Sequence, residues 1–319
     1  MNKGDIHIDA GLRPKFLKDY IGQRKVREQI KLFIEASKRK GELLDHVLIS
    51  GPPGLGKTTL AQIIANELGR NIIFTSGPIL EKKGDLAGIL SSLEEGDILF
   101  IDEIHRLNPS VEEALYPAIE EFRLDIVIGK GSSSRTVSIS LPKFTLIGAT
   151  TRAGMLTSPL LSRFGIVLNM DYYDEDSLKQ IIKRSAVIIG IEISDDAAYE
   201  IAKRSRGTPR NANRLLKRVH DYAVVNGRET IDKDTAVKAL TFLGIDEDGL
   251  DTTDRKYLDV LINKFNCRPV GLNTISSALS ESKNTIEEII EPYLLRKGYI
   301  QKTHKGRIPT EKAVKKFEK

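Results

Sequence analysis

The chain of 319 residues is 40% hydrophobic and 29% charged, with 49 Lys and Arg against 44 Asp and Glu for a net charge of +5. That balance belongs to a soluble globular protein with material for two or three domains, and it excludes a disordered or fibrous chain. One cysteine, Cys267, excludes an internal disulfide framework, and the five histidines at positions 7, 46, 105, 220 and 304 are too scattered to suggest a metal site beyond Mg²⁺.

The opening MNKGDIHIDAGLRPKF lacks an apolar signal core, and no run approaches the length of a membrane span, so a cytoplasmic protein without membrane partners is expected. From Asp45 to about Tyr173 the runs HVLIS, NIIFT, ILFIDE, FTLIGAT and GIVLNM alternate with helical patterns. This is the rhythm of a parallel α/β sheet.

Between HVLIS and the helix pattern TLAQIIANEL, which ends before Gly69, lies GPPGLGKTT, Gly51 to Thr59, matching G-x-x-x-x-G-K-[ST]. Glycines let backbone N–H groups turn inward around phosphate oxygens, and the following helix adds its positive end. Lys57 is expected to reach the β- and γ-phosphates, and Thr58 to offer its hydroxyl to Mg²⁺. A fortuitous Gly-rich turn is the alternative; the flanking strand and helix count against it. Downstream, ILFIDEIHRL ends a buried strand on two carboxylates. Ligands of open α/β sheets gather at the carboxyl ends of strands, so Asp102 is expected in the Mg²⁺ shell and Glu103 beside the attacking water.

FRLDIVIGKGSSSRTVSISL, residues 122–141, alternates apolar and polar residues around a Gly-Lys-Gly-Ser cluster and reads as a hairpin. Its apolar positions Ile126, Ile128, Val137 and Ile139 favour a docking surface over decoration, because they otherwise need a cover. From Asp174 to Gly244 strand patterns stop and helical ones such as DDAAYEIAKRS take over, predicting a small all-α unit. The acidic, turn-rich IDEDGLDTTD, Ile245 to Asp254, reads as a linker to a third domain. Three domains are therefore expected, over 1–173, 174–244 and 245–319.

In the third part, RKYLDVLINKF and GLNTISSALS precede NTIEEIIEPYLLRKGYIQKTHKGRIPT. Asn284 and Glu287 have capping-box spacing, and Pro292 is expected to kink or shorten the helix. The hairpin from Gly298 to Thr310 carries Lys302, Lys305 and Arg307 near its turn, which makes a winged helix-turn-helix. Arg296 to Lys319 holds nine Lys or Arg against Glu311 and Glu318, a nucleic-acid footprint unless it is a solvated tail or the wing docks protein.

LRPKFLKDYIGQ, GPPGLGKTT, FIDEIHRL, LIGATTRAG, SPLLSRFG and RGTPRNANRLLKRVHDYA, in this order and followed by a winged helix, closely resemble the RuvB family of bacterial Holliday-junction branch-migration motors. The resemblance runs almost end to end. It implies an AAA+ P-loop NTPase core, an all-α lid and a C-terminal winged-helix head, assembled as a homo-hexameric ring on duplex DNA. It further implies that Leu12, Arg13, Tyr20 and Ile21 flank the adenine, that Gly54, Gly56, Lys57, Thr58 and Thr59 hold phosphates and Mg²⁺, and that Glu120, Glu121 and Phe122 line the nucleotide site. Tyr173 would contact nucleotide at the domain junction, and Thr150 takes the sensor-1 place, where other AAA+ proteins carry Asn.

By the same resemblance Arg163 is the arginine finger offered to a neighbouring subunit's γ-phosphate, and Arg210 the sensor on the lid; read alone, either is a surface cation. Arg307 matches a DNA-contact position, whereas Lys302 stands where the family has arginine. Charge is kept and the bidentate fork lost, which predicts phosphate contacts selective for DNA structure rather than sequence. The implied partners are Holliday junctions, the junction-binding protein RuvA on the hairpin 122–141, and the resolvase RuvC. Two other AAA+ readings stand beside the ATP-driven motor: an origin-binding or loader protein that uses nucleotide as a binding switch, and a clamp loader, which would carry a helical collar instead of a basic wing.

Overall fold

A computed structural model describes residues 11–128 and 135–317, with the side chains of 126–128 and 135–136 also outside the description. By contact the chain forms two compact units: residues 1–181 with Thr208–Arg210, and residues 182–207 with 211–319.

The first unit is built on five parallel strands: β1 (Val47–Ser50), β2 (Ile72–Ser76), β3 (Ile98–Asp102), β6 (Thr145–Thr150) and β7 (Ile166–Asn169), in the order β2-β3-β6-β1-β7. The three inner strands are almost wholly buried, because helices cover both faces of the sheet, and their sequences are accordingly continuous apolar runs. Edge strand β7 instead alternates buried and exposed residues. Helix Lys57–Leu68 follows the Gly-rich turn and ends on Gly69 at φ 65°, the left-handed cap that glycine tolerates best.

Register sets the site. Ser50 pairs with Thr150 and Asn169, and Ser76 with Asp102, so the segments leaving β1, β3 and β6 emerge at one end of the sheet. The predicted hairpin is present as β4 (Arg123–Ile128) paired antiparallel with β5 (Arg135–Ser140). Leu124 is buried, and Ile139 is exposed. The side chains of Ile126 and Ile128, on which the docking expectation also rests, lie outside the described residues.

In the second unit, helices Asp195–Arg204, Pro209–Val225 and Lys233–Phe242 dominate the lid segment. The expectation that strands stop there needs one correction: β8 (Glu192–Ile193) and β9 (Thr230–Ile231) make a two-residue parallel ladder, too short to leave a periodic pattern. The expected linker is not slack either. Leu250 and Asp254 are buried, and Asp251 caps helix Thr252–Asp259 by accepting from the N–H groups of Thr253 and Asp254.

The head carries an antiparallel wing, β10 (Ile300–Thr303) with β11 (Gly306–Pro309), followed by a short helix, Glu311–Phe317, over a core that includes Tyr257, Leu261, Ile275, Ile290, Leu294 and Tyr299. Gly306 has φ 138°, and a Cβ there would lie 2.4 Å from the Val270 carbonyl oxygen, so only glycine fits. The cap predicted at Asn284 is instead Ser282, whose hydroxyl accepts from Thr285 N–H; Ser280 turns the chain in the left-handed region, and the helix starts before Asn284 is reached. Ahead of Pro292 the winding widens to a π-turn over Ile286–Ile290. Proline has no N–H to donate and crowds the carbonyl four residues back, and widening relieves both.

Candidate functional site

Gly51, Gly54 and Gly56 all take positive φ, 146°, 82° and 98°, and turn the chain tightly into the N-terminus of helix Lys57–Leu68. A Cβ on Gly51 would meet the Met170 carbonyl oxygen at 2.5 Å. Lys57 is buried, and its Nζ donates to the carbonyls of Gly51 at 2.8 Å and Pro52 at 3.1 Å. Burial pulls its pKa below the ordinary lysine value, while the charges of Glu103 and Asp102 act the other way. Thr58 and Thr59 are half-buried in the first helical turn.

Asp102 ends β3 and accepts the Glu103 N–H at 3.0 Å; burial pushes its pKa up. Glu103 stands in the left-handed region at φ 47°, and its Oε2 is 3.1 Å from Thr151 Oγ1 and 3.2 Å from His105 Nδ1. Thr150, expected beside the reacting water, is fully buried; its Oγ1 is 2.9 Å from His105 Nδ1 and accepts from the Arg152 N–H. The hydroxyl that meets Glu103 is Thr151's. Neither Thr151 nor His105 was singled out from the sequence, although both lie within the quoted motifs.

Tyr20 and Tyr173 meet beside the Gly-rich loop. Tyr173 Oη lies 3.1 Å from Tyr20 Oη and 3.4 Å from the Leu55 carbonyl of the Gly-rich loop. Burial raises both phenols, Tyr173 to about 12, so they stay neutral. Gly22 is pressed against the Tyr173 ring, where a Cβ would come within 2.6 Å. Leu12 is buried, Ile21 half-buried and Arg13 exposed. Arg210 reaches the loop through its backbone, its N–H 3.3 Å from the Gly54 carbonyl, with an exposed side chain.

Arg163 and Glu120–Phe122 lie elsewhere. Arg163 pairs with Glu120 at 2.9 Å, donates to the Pro159 carbonyl and stacks 4.4 Å over Tyr116. Phe122 joins it around a cavity of about 340 Å³ that also touches Asp45 and His46. His46 precedes β1 and bonds the Ile119 carbonyl at 2.9 Å, so this cluster sits at the amino end of a strand whose carboxyl end feeds the Gly-rich loop. Glu120 and Phe122 therefore do not line this chain's own phosphate cradle, and Glu121 pairs with Arg123 at 2.9 Å. The expectation for these three residues holds only for a nucleotide on another subunit.

The wing also departs from expectation. Lys302 and Arg307 are direct cross-strand partners, and both turn onto Glu291, which has no solvent exposure. Lys302 Nζ is 2.6 Å and Arg307 Nε 2.8 Å from its carboxylate; Arg307 also reaches Glu287 at 3.1 Å, and Tyr257 donates at 3.0 Å. Burial pushes Glu291 up, and the bonds from Arg307 and Lys302 outweigh it and hold its pKa below the usual range. These two cations are thus not loose arms, because Glu287 and Glu291, one helical turn apart, face the wing. Lys305, exposed at the tip, has no ion pair among the described residues.

Among the described residues no helix is long and apolar enough to cross a membrane, and no group of three or more His, Cys, Asp or Glu could hold a metal ion. The family model of the Holliday junction DNA helicase RuvB P-loop domain matches residues 12–170, that of the RuvB AAA lid domain 173–246, and that of the RuvB C-terminal winged helix domain 247–318. The Holliday junction branch migration complex subunit RuvB of Clostridium kluyveri is 56% identical over 317 residues, 99% of this chain and 91% of the relative. The solved structure of the Thermotoga maritima RuvB Holliday junction branch migration motor superposes with a TM-score of 0.88 at 52% identity, covering 97% of this chain and 98% of that one. A variant of that Thermotoga maritima protein gives 0.88 at 53% identity over 96% and 98%.

Proposed function

The chain belongs to the RuvB family, and from that membership we propose that it is an ATP-driven DNA motor that moves the branch point of Holliday junctions in recombination and repair. One observation of its own carries the reading. The glycine loop with Lys57, the Asp102–Glu103 pair and the Thr150–Thr151 turn converge at one end of the sheet, in a chain that ends in a winged helix.

In this reading Gly54, Gly56, Lys57, Thr58 and Thr59 cradle the phosphates of ATP, with Leu12, Arg13, Tyr20, Ile21 and Tyr173 on the base side. Lys57, charged and buried, sets its ammonium against the phosphates in place of the backbone carbonyls it now holds. The Thr58 hydroxyl and Asp102 carboxylate are hard oxygen donors that fit Mg²⁺, which when bound neutralises phosphate charge. Glu103 orients and deprotonates the attacking water. Thr150 acts from behind that site through its contact with His105. Arg163 and Glu120–Phe122, at the far end of β1, act on the nucleotide of a neighbour, which requires a ring; a homo-hexamer is the form we propose. Arg210 carries the change at the phosphates to the lid, and the head carries it to DNA.

Lys305 is the exposed phosphate contact, and Lys302 and Arg307 hold the wing in shape. RuvA docks on the hairpin 122–141, RuvC shares the complex, the protein works in the cytoplasm, and the domains run 1–173, 174–244 and 245–319. Glu103→Gln should keep nucleotide affinity and lose most turnover, whereas Lys57→Ala should lose both, measured by fluorescent-nucleotide titration and single-turnover hydrolysis. Wild-type chemistry in Glu103→Gln would remove the water-activating role.

A further inference from the structure

The carboxylate of Glu103 is aimed by its neighbours. Its backbone stands at φ 47°, in the left-handed region that a side-chain-bearing residue disfavours, and such strain persists only where the surroundings hold it. Two groups meet its Oε2: Thr151 Oγ1 at 3.1 Å and His105 Nδ1 at 3.2 Å. The His105 side chain is only 6% exposed, and the same Nδ1 is 2.9 Å from Thr150 Oγ1. Thr150 is anchored in turn. Its hydroxyl oxygen accepts from the Arg152 N–H at 3.0 Å, and its carbonyl accepts from the N–H of Gly51, the first residue of the phosphate loop, at 3.2 Å.

The two ring nitrogens are not equivalent here. An imidazole protonated only at Nε2 would turn a lone pair toward a carboxylate 3.2 Å away, whereas one protonated at Nδ1 sets the positive end of its N–H dipole beside it. Thr150 Oγ1, already accepting one backbone N–H, has a second lone pair for the same Nδ1–H. The carboxylate therefore favours the Nδ1–H tautomer, whose hydrogen bond runs to Thr150 Oγ1 while Glu103 Oε2 lies 3.2 Å away in electrostatic contact.

We propose that His105 is a positioning residue for hydrolysis: through Nδ1–H it fixes the Glu103 carboxylate in the orientation that takes a proton from water, and through Thr150 it ties that orientation to the phosphate loop. This rests on Glu103 being the water-activating group. His105 is nearly buried and in this proposal acts only through Glu103, so its removal should act on the chemical step and leave nucleotide binding alone. Misaiming a general base is worth about 10- to 100-fold in turnover.

The test is steady-state and single-turnover ATPase of the full chain with duplex DNA, comparing His105→Leu, His105→Asn and His105→Gln, the first also combined with Glu103→Gln. Asn places its amide N–H where Nδ1 was; Gln places it near Nε2. His105→Leu should lower kcat about 10- to 100-fold with KM for ATP within about twofold, and His105→Asn should recover most of the loss while His105→Gln does not. In Glu103→Gln the added His105→Leu should change the residual rate less than about twofold, because a residue acting only through Glu103 has nothing left to act on. Wild-type kcat in His105→Leu, equal losses in Asn and Gln, or an undiminished further loss in the Glu103→Gln background would each overturn the proposal. Should His105→Leu not fold, the order of Asn and Gln decides. Wild-type single-turnover hydrolysis by Glu103→Gln alone would instead overturn the Glu103 reading.

Discussion

Arg307→Ala separates a DNA contact from a strut. Glu291 receives four bonds, two from Arg307 at 2.8 and 3.3 Å, one from Lys302 at 2.6 Å and one from Tyr257 at 3.0 Å, and it has no solvent exposure. Removing one partner of a buried pair costs about 3–5 kcal/mol when the other charge is left alone. Here Lys302 and Tyr257 remain, so a loss of about 2–3 kcal/mol is expected. For a unit of this size that lowers the unfolding temperature by roughly 5–10 °C, read by calorimetry on the full chain. Adding Glu291→Gln should restore part of the loss, because a neutral amide is cheaper to bury than a carboxylate short of partners. The salt dependence of DNA affinity should barely change, since the Arg307 side chain is 15% exposed and already neutralised. Unchanged stability together with a log–log salt slope reduced by about one would refute the strut and make Arg307 a phosphate contact.

Lys305→Ala should do the opposite, reducing the salt slope by about one across random and defined duplexes without shifting the unfolding temperature; an unchanged slope removes it from the interface. Arg163→Ala should be a defect in trans, so that mixed rings with Lys57→Ala subunits regain some ATPase through interfaces pairing an intact loop with an intact finger; no rescue despite demonstrated mixing counts against the arrangement. Asp254, buried and only 1% exposed, has its pKa pushed up to about 6 by burial, against the pull of Arg206. The folded chain thus holds this proton more tightly than the unfolded one. The group's contribution is most favourable below about pH 4 and falls by about 3 kcal/mol as pH rises through 6. Asp254→Asn abolishes that fall, so its unfolding temperature relative to wild type should climb between pH 5 and 7; a constant difference would show that Asp254 is ionised throughout.

The nucleotide site was legible because its signals are local: glycines at fixed offsets after an apolar run, and carboxylates at the end of another. Where side-chain direction decides, sequence served less well. Thr150 ends β6 and Thr151 follows in the turn, where strand alternation no longer sets side-chain direction, and only the folded chain shows that the second meets Glu103. Glu291 reads as one more acid on an amphipathic helix until the wing sets Lys302 and Arg307 side by side above it. Glu120–Phe122 close a helix, Pro109–Glu120 and its cap, whose return path sequence does not specify, so their place at the amino end of β1 was out of reach. Composition marked Ile245–Asp254 as a linker without showing that its acids, as caps and ion-pair partners, order it.

ATP hydrolysis at this site is what moves a DNA branch point in the proposed function. The direct measurement gives the full chain a labelled four-way junction, ATP, Mg²⁺ and the junction-binding protein RuvA, and follows conversion of the junction to duplex products over many turnovers. ATP-dependent strand exchange is expected, and it should stop in Glu103→Gln although nucleotide and DNA still bind. A junction that is bound and stays intact while the wild-type chain binds or turns over ATP would contradict it, and would make the nucleotide a binding switch.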